Sequence, residues 1–341
     1  MRLAPLLAWL ALTACLPAPG AEVAMSASPA ATATGTLALM EGGSTPLAPM
    51  PAPSNAAIAG NFLDLEFRME SGRSLPVFTR FEGPVTVALA GDVPGTAAAD
   101  LARLIRRLRS EAGIDLRQTA GAAAITVEFL PRARIQATYA NVACFVVPRV
   151  SSWAEYRAAK GTARLDWTTL TRREAAAIFV PSDTSAQEVR DCLHEELAQA
   201  LGPLNDLYSL PDSVFNDDNF HTVLTSFDML ILRLHYSGEL RSGMTEAEVA
   251  ARLPGLLARL NPSGERPGTQ SREPTPRAWI DAIELALGPR SRLAARQSAA
   301  QRALALARGQ GWTDSRLAFS HFAIGRLTLG TDPQAAATAF L

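Results

Sequence analysis

Four short apolar runs constrain this chain more than any other feature of it. Residues 84–89 (PVTVAL), 124–130 (AITVEFL), 142–147 and 175–180 are dense in aliphatic and β-branched side chains over lengths that suit strands. Between the first two lies 96–112, where Leu101, Leu104, Ile105 and Leu108 recur at helical spacing while Arg106, Arg107 and Arg109 fall on the other, solvated face. A strand, an amphipathic helix and then several strands predict an α/β (α+β) fold. After Pro181 the period changes. Residues 182–185 offer four helix N-caps, 186–201 reads as a helix, and Gly202-Pro203 stops it. A loop rich in Asn and Asp covers 204–219, and 222–234 and 245–260 read as helices.

Composition narrows the function classes. Of 341 residues, 32 are basic and 33 acidic, so the excess of Lys and Arg that nucleic-acid binding requires is missing and no nucleic-acid partner is expected. No apolar run reaches the roughly 18 residues of a membrane-spanning helix. There is no G-x-S-x-G turn and no Gly-rich phosphate cradle, which sets aside serine hydrolases and nucleotide-binding loops.

The first residues, MRLAPLLAWLALTAC, combine Arg2, an apolar stretch from Leu6 to Leu12 and small residues before Cys15. They read as a secretory signal, 1–15, with a bacterial lipobox, so that Cys15 becomes a lipidated N-terminus and the chain is held at a membrane through acyl chains. The expected location is the cell envelope, facing the periplasm, and Leu16 after the cysteine favours the outer membrane. Residues 16–61 are Ala, Pro, Ser, Thr and Gly with few large apolar side chains and are expected to be a disordered tether. The main domain is expected over 62–261, a Pro/Gly/Ser linker over 262–276 and two or three short helices over 277–341. Within that last region 317–333 has the small/large alternation of a single tetratricopeptide-like hairpin, which must pack on something to bury its apolar face. With Cys15 set apart, Cys144 and Cys192 remain in an oxidising compartment. A Cys144–Cys192 disulfide is expected; two buried free thiols are the alternative.

The informative segment is Cys192-Leu-His-Glu-Glu-Leu-Ala-Gln-Ala-Leu-Gly202. Read from His194, a zinc-protease H-E-x-x-H would need a second histidine where Ala198 stands. Read from Glu195, the string E-E-L-A-Q-A-L-G resembles the metzincin motif H-E-x-x-H-x-x-G-x-x-H, with Glu195, Gln199 and Asn205 where three histidines would stand, Glu196 at the general-base position and Gly202 at the glycine. Downstream, 205–215 resembles the stretch leading to a Met-turn, with Phe215 at the methionine, and 224–236 resembles the closing helix. By its lipobox, its E-E-L-x-Q-x-L-G helix and its S-V-F-N-D loop, the chain is identified as a member of a bacterial lipoprotein family known only as a domain of unknown function. The resemblance implies a metzincin-like mixed sheet with an active-site-type helix, followed by an α-helical C-terminal region.

Amide oxygens are poor ligands for Zn²⁺, and oxygen donors suit a hard cation such as Ca²⁺ better. Three readings follow: a metal-free pseudo-enzyme binding a protein or peptide partner, a peptidase using Glu196 with non-standard ligands, and a structural hard-cation site. The first is the expectation, with no cofactor; the others require a divalent cation, Zn²⁺ or Ca²⁺. Residues 195 and 196 point about 100° apart on a helix, so one of the two is expected to be solvated. Gln199, one turn on, can bond Glu195 with nothing bound between them. His194, His221, His235 and His321 are read as structural; the Asn216–Asn219 run resembles a calcium loop only in composition, and an N-cap with an Asx-turn explains it equally well.

Overall fold

The computed structural model describes residues 53–139, 142–216, 220–268, 274–288 and 291–341. The expected signal segment with Cys15, residues 16–52 of the expected tether, 217–219 of the acidic loop and 269–273 of the expected linker lie outside the described residues.

Five strands form one sheet in the order β2-β1-β3-β5-β4. They are β1 (Val85–Gly91), β2 (Leu116–Gln118), β3 (Ile125–Leu130), β4 (Phe145–Pro148) and β5 (Ala176–Pro181). All pairings are parallel except that of β4 with β5, and the fold is mixed α/β with a helical C-terminal region. The alternation of side chains along each strand sorts them onto two faces. On β3 and β5, Ile125, Val127, Phe129, Ala176, Ile178 and Val180 join one core, while Leu130, Ala177 and Phe179 join another on the opposite face. Gly91 ends β1 at positive φ against the Phe129 carbonyl, where a Cβ would sit 2.2 Å from the oxygen, so only glycine fits.

On the first face pack α1 (Asn55–Phe67), α2 (Ala97–Glu111) and, described below, the motif helix. The leucines and isoleucine that define the α2 period are all buried. Helix α1 corrects the expected tether, whose last seven residues are helical. Ser54 caps it by accepting from the Ala57 amide at 3.2 Å, and Ile58, Phe62, Leu65 and Phe67 are buried. Burying each such side chain is worth about 1.5–3 kcal/mol, enough to override the small-residue composition around them. The other face is covered by α3 (Arg132–Gln136) and α4 (Trp153–Ala159), whose Trp153 and Tyr156 pack on Phe179.

Beyond the motif helix come α6 (Ser226–His235), α7 (Glu246–Ala250) and α8 (Leu253–Leu260). The single helix expected over 245–260 is two, because Pro254 falls in the first turn of α8, where its missing N–H costs nothing. The linker is also shorter than expected. Gly264 is buried so closely against Asn55 that a Cβ would meet its side-chain oxygen at 2.2 Å, and Asn55 donates to Glu265 at 2.7 Å.

The C-terminal region holds four helices rather than the two or three expected: α9 (Arg277–Leu287), α10 (Leu293–Gly309), α11 (Ser315–Thr328) and α12 (Pro333–Phe340). They enclose Trp279 and Phe319, with the Trp279 indole donating to Ser320 at 3.0 Å. Tyr208, from the loop after the motif helix, enters this cluster edge-on to Trp279 at 5.1 Å, and its carbonyl accepts from Ser315 at 3.1 Å. The described residues belong to one compact unit. Among the described residues no helix is long and apolar enough to cross a membrane.

Candidate functional site

The motif lies on α5 (Ala186–Leu201), which Ser185 caps by accepting from the Glu188 amide at 3.1 Å. From Cys192 to Leu201 every residue except Glu195 is buried, so the second half of α5 is a core helix rather than an amphipathic surface one. Cys192 forms the disulfide with Cys144, at a Cα separation of 6.0 Å, and so ties α5 to the approach to the edge strand β4.

A helix end in the core must find donors for its last carbonyls. Here Arg173, on the segment entering β5, donates to the Gln199 carbonyl at 2.6 Å, to that of Ala200 at 2.7 Å and to that of Gly202, while the Tyr236 hydroxyl donates to Leu201 at 2.9 Å. Burial lowers the Arg173 guanidinium to about 10, against the opposing pull of Glu66, so it stays charged at neutral pH. A cation at this end also suits the helix dipole. Its plane lies over the Trp167 ring at 5.1 Å. Gly202 then lets α6 close in: a Cβ there would meet His235 Nδ1 at 2.9 Å. His235 is fully buried, donates through Nδ1 to Glu66 on α1 at 2.8 Å and lies tilted against the Phe78 ring at 4.6 Å. Burial, ahead of every other influence, lowers its basicity and keeps it neutral.

Helical geometry separates the two glutamates as expected, and the buried one is Glu196. Glu195 is half-buried; Glu196 is 4% exposed, and its Oε2 has no hydrogen-bond partner among the described residues. Burial first, then the charges of Glu195 and Glu70, push the Glu196 carboxyl well above the ordinary range. Gln199 donates to Asp206 at 3.4 Å and Asn205 to the Asp64 carbonyl at 3.0 Å, so both amides engage protein acceptors. Lacking imidazole or thiolate, the set Glu195, Gln199 and Asn205 does not fit Zn²⁺. Among the described residues no three His, Cys, Asp or Glu side chains come together to hold a metal ion.

The loop after α5 is pinned from α6. Asp228, fully buried, accepts from Ser213 Oγ at 2.5 Å, the Val214 amide at 3.1 Å and the Thr225 amide at 2.7 Å, which seats Phe215 in the core. His194 Nδ1 accepts from the Leu224 amide at 3.2 Å, and burial, with Arg107 and Arg190 nearby, lowers its pKa to about 4. Beside Asp206 a cleft of about 480 Å³ opens between this loop and α9, lined by Glu70, Asp206, Tyr208, Arg277 and Glu284 among others. Arg277 is already bridged to Asp281 at 2.6 Å and Glu284 at 2.9 Å.

The Glu66–His235–Arg173 cluster is not among the residues the motif singles out, and His235 was expected to be merely structural. The one sequence signal for it is Gly202, a glycine where two helices must approach. Comparison with curated proteins gives no match. Residues 55–255, which run from the first residue of α1 into α8 and take in the motif helix and the loop pinned by Asp228, match the family described as "Protein of unknown function (DUF2927)", and the chain belongs to that family.

Proposed function

We propose that the protein is a cell-envelope lipoprotein, anchored through Cys15, whose metzincin-like domain binds a protein or peptide partner without cleaving it. The observation that carries this reading is the state of Glu196. A general base must be ionised and within reach of water, whereas this carboxyl is 4% exposed and burial favours its protonated form. The donor chemistry of Glu195, Gln199 and Asn205 supports the same reading. So does the order of a mixed sheet followed by the motif helix, the arrangement that the resemblance to metzincins implies. The cleft between Asp206 and α9 is the proposed seat for the partner, since about 480 Å³ accommodates a few residues of an extended peptide.

The test is metal analysis of the purified protein together with a peptide-library cleavage assay. Absence of stoichiometric Zn²⁺ and of cleavage, with binding of a peptide weakened by Asp206→Ala or Glu284→Ala, is the expected result. Bound metal together with hydrolysis abolished by Glu196→Gln would overturn the reading. That outcome would favour a peptidase instead, to which the partnerless Oε2 of Glu196 gives some support. Bound Ca²⁺ without hydrolysis would point to a structural cation. Anchoring is tested separately, by palmitate labelling that Cys15→Ala should eliminate.

A further inference from the structure

The sheet face opposite α5 carries a second pocket, of about 480 Å³, lined by Glu128, Arg134, Ala137, Trp153, Ala154 and Arg157. Glu128 projects from β3, Arg134 from α3, and Trp153 and Arg157 stand one turn apart on α4. The indole is a fixed wall. Trp153 is 5% exposed and packs edge-on to Phe179 at 5.1 Å, and its backbone amide donates to Glu128 Oε2 at 2.6 Å. One oxygen of Glu128 is thus committed to the first turn of α4.

The two arginines differ from their neighbours. Arg132 on α3 is paired with Glu188, and Arg164 with Glu155, but neither Arg134 nor Arg157 makes a hydrogen bond or ion pair among the described residues. Two guanidiniums against one carboxylate leave a single net positive charge in the pocket. That balance suits a monoanion, since a phosphate dianion would leave excess negative charge beside Glu128. Guanidinium forks match the two oxygens of a carboxylate, and the indole with Ala137 and Ala154 suits a flat apolar body.

We propose that this pocket binds a carboxylate carried on an apolar or aromatic body, held between Arg134 and Arg157 against Trp153. Such a group has two sources, a small free acid or the C-terminus of a peptide. The site is separate from the motif helix and does not depend on the function proposed above.

Calorimetric titration of the intact protein with N-acetylphenylalanine, its amide and acetyl-Ala-Ala-Phe tests it. Both Arg side chains are exposed, so the double variant Arg134→Gln/Arg157→Gln is expected to fold, with circular dichroism as the check. Lys160, the single lysine of the chain, lies over the Tyr139 ring at 5.3 Å, one turn beyond Arg157, and gives a local readout through its rate of acylation. The expected result is binding of one or both acids, slowed acylation of Lys160, no binding of the amide, and affinity at least about tenfold weaker in the double variant. The tighter of the two acids identifies the source. No heat from either acid, equal affinity for the amide, or unchanged affinity in the double variant overturns the proposal.

Discussion

Two buried side chains on α5 give this protein opposing responses to pH. Glu196 titrates in the folded state well above its ordinary value of 4.5, so between those limits the folded protein holds a proton that the unfolded chain has released. Its contribution is therefore complete below about pH 4.5 and is lost as pH rises. Glu196→Gln removes this penalty and is expected to stabilise the protein at pH 8 by at least about 1 kcal/mol, with the difference vanishing near pH 4. Urea unfolding at the two pH values decides it; a variant less stable at pH 8 contradicts the upward shift of the Glu196 carboxyl. His194 acts in the other direction. Its pKa falls from 6.5 to about 4 on folding, so below pH 6.5 the unfolded chain takes up the extra proton and stability falls as the solution is acidified. The loss attributable to this ring is about 3 kcal/mol across that window. In His194→Gln, whose amide oxygen can still accept from Leu224, the thermal midpoint should fall distinctly less between pH 6.5 and 4 than in the wild type.

At the scale of elements, Gly202 at the end of α5 lies directly against His235 of α6. Gly202→Ala would drive a methyl group into an imidazole that Glu66 and Phe78 hold in place, at a cost of about 1–3 kcal/mol in unfolding free energy. Denaturant titration measures it, and a neutral substitution would show that α6 can slide. The same joint marks what the sequence could disclose. Helix α5, its Ser185 cap and its Gly202 stop are local and could be read directly, as could the strands at 84–89, 124–130 and 175–180. The three-residue β2 carries too short a period to register. Helix α1 looked like tether because small residues precede its apolar ones, and only tertiary burial of Phe62 and Phe67 reveals its role. Arg173 and Glu66 come from distant segments, and nothing in their immediate surroundings announces a shared cluster. Of the candidate site, the spacing of Glu195, Glu196, Gln199 and Asn205 was legible. Which glutamate is buried was not, because that depends on what packs above the helix.

For the whole molecule, the disulfide joins positions 48 residues apart, linking the approach to β4 to α5. Closing a loop of that length in the unfolded chain is worth about 4 kcal/mol by the chain-entropy estimate. Cys144→Ser/Cys192→Ser, or reduction, should lower unfolding free energy by several kcal/mol, and an unchanged midpoint in dithiothreitol would contradict a formed bridge. The C-terminal helices are attached through Tyr208, a residue only a few positions past the motif, so the two halves of the chain share a core at that point. Finally, the rims of the sheet are brief. β2 offers three residues and β4 four, the latter ending in Pro148, which has no amide hydrogen to present to a neighbour. A second chain finds almost nothing there to zip onto. Concentrated solutions should consequently stay free of thread-like polymer, and a rise in thioflavin fluorescence on standing would show otherwise.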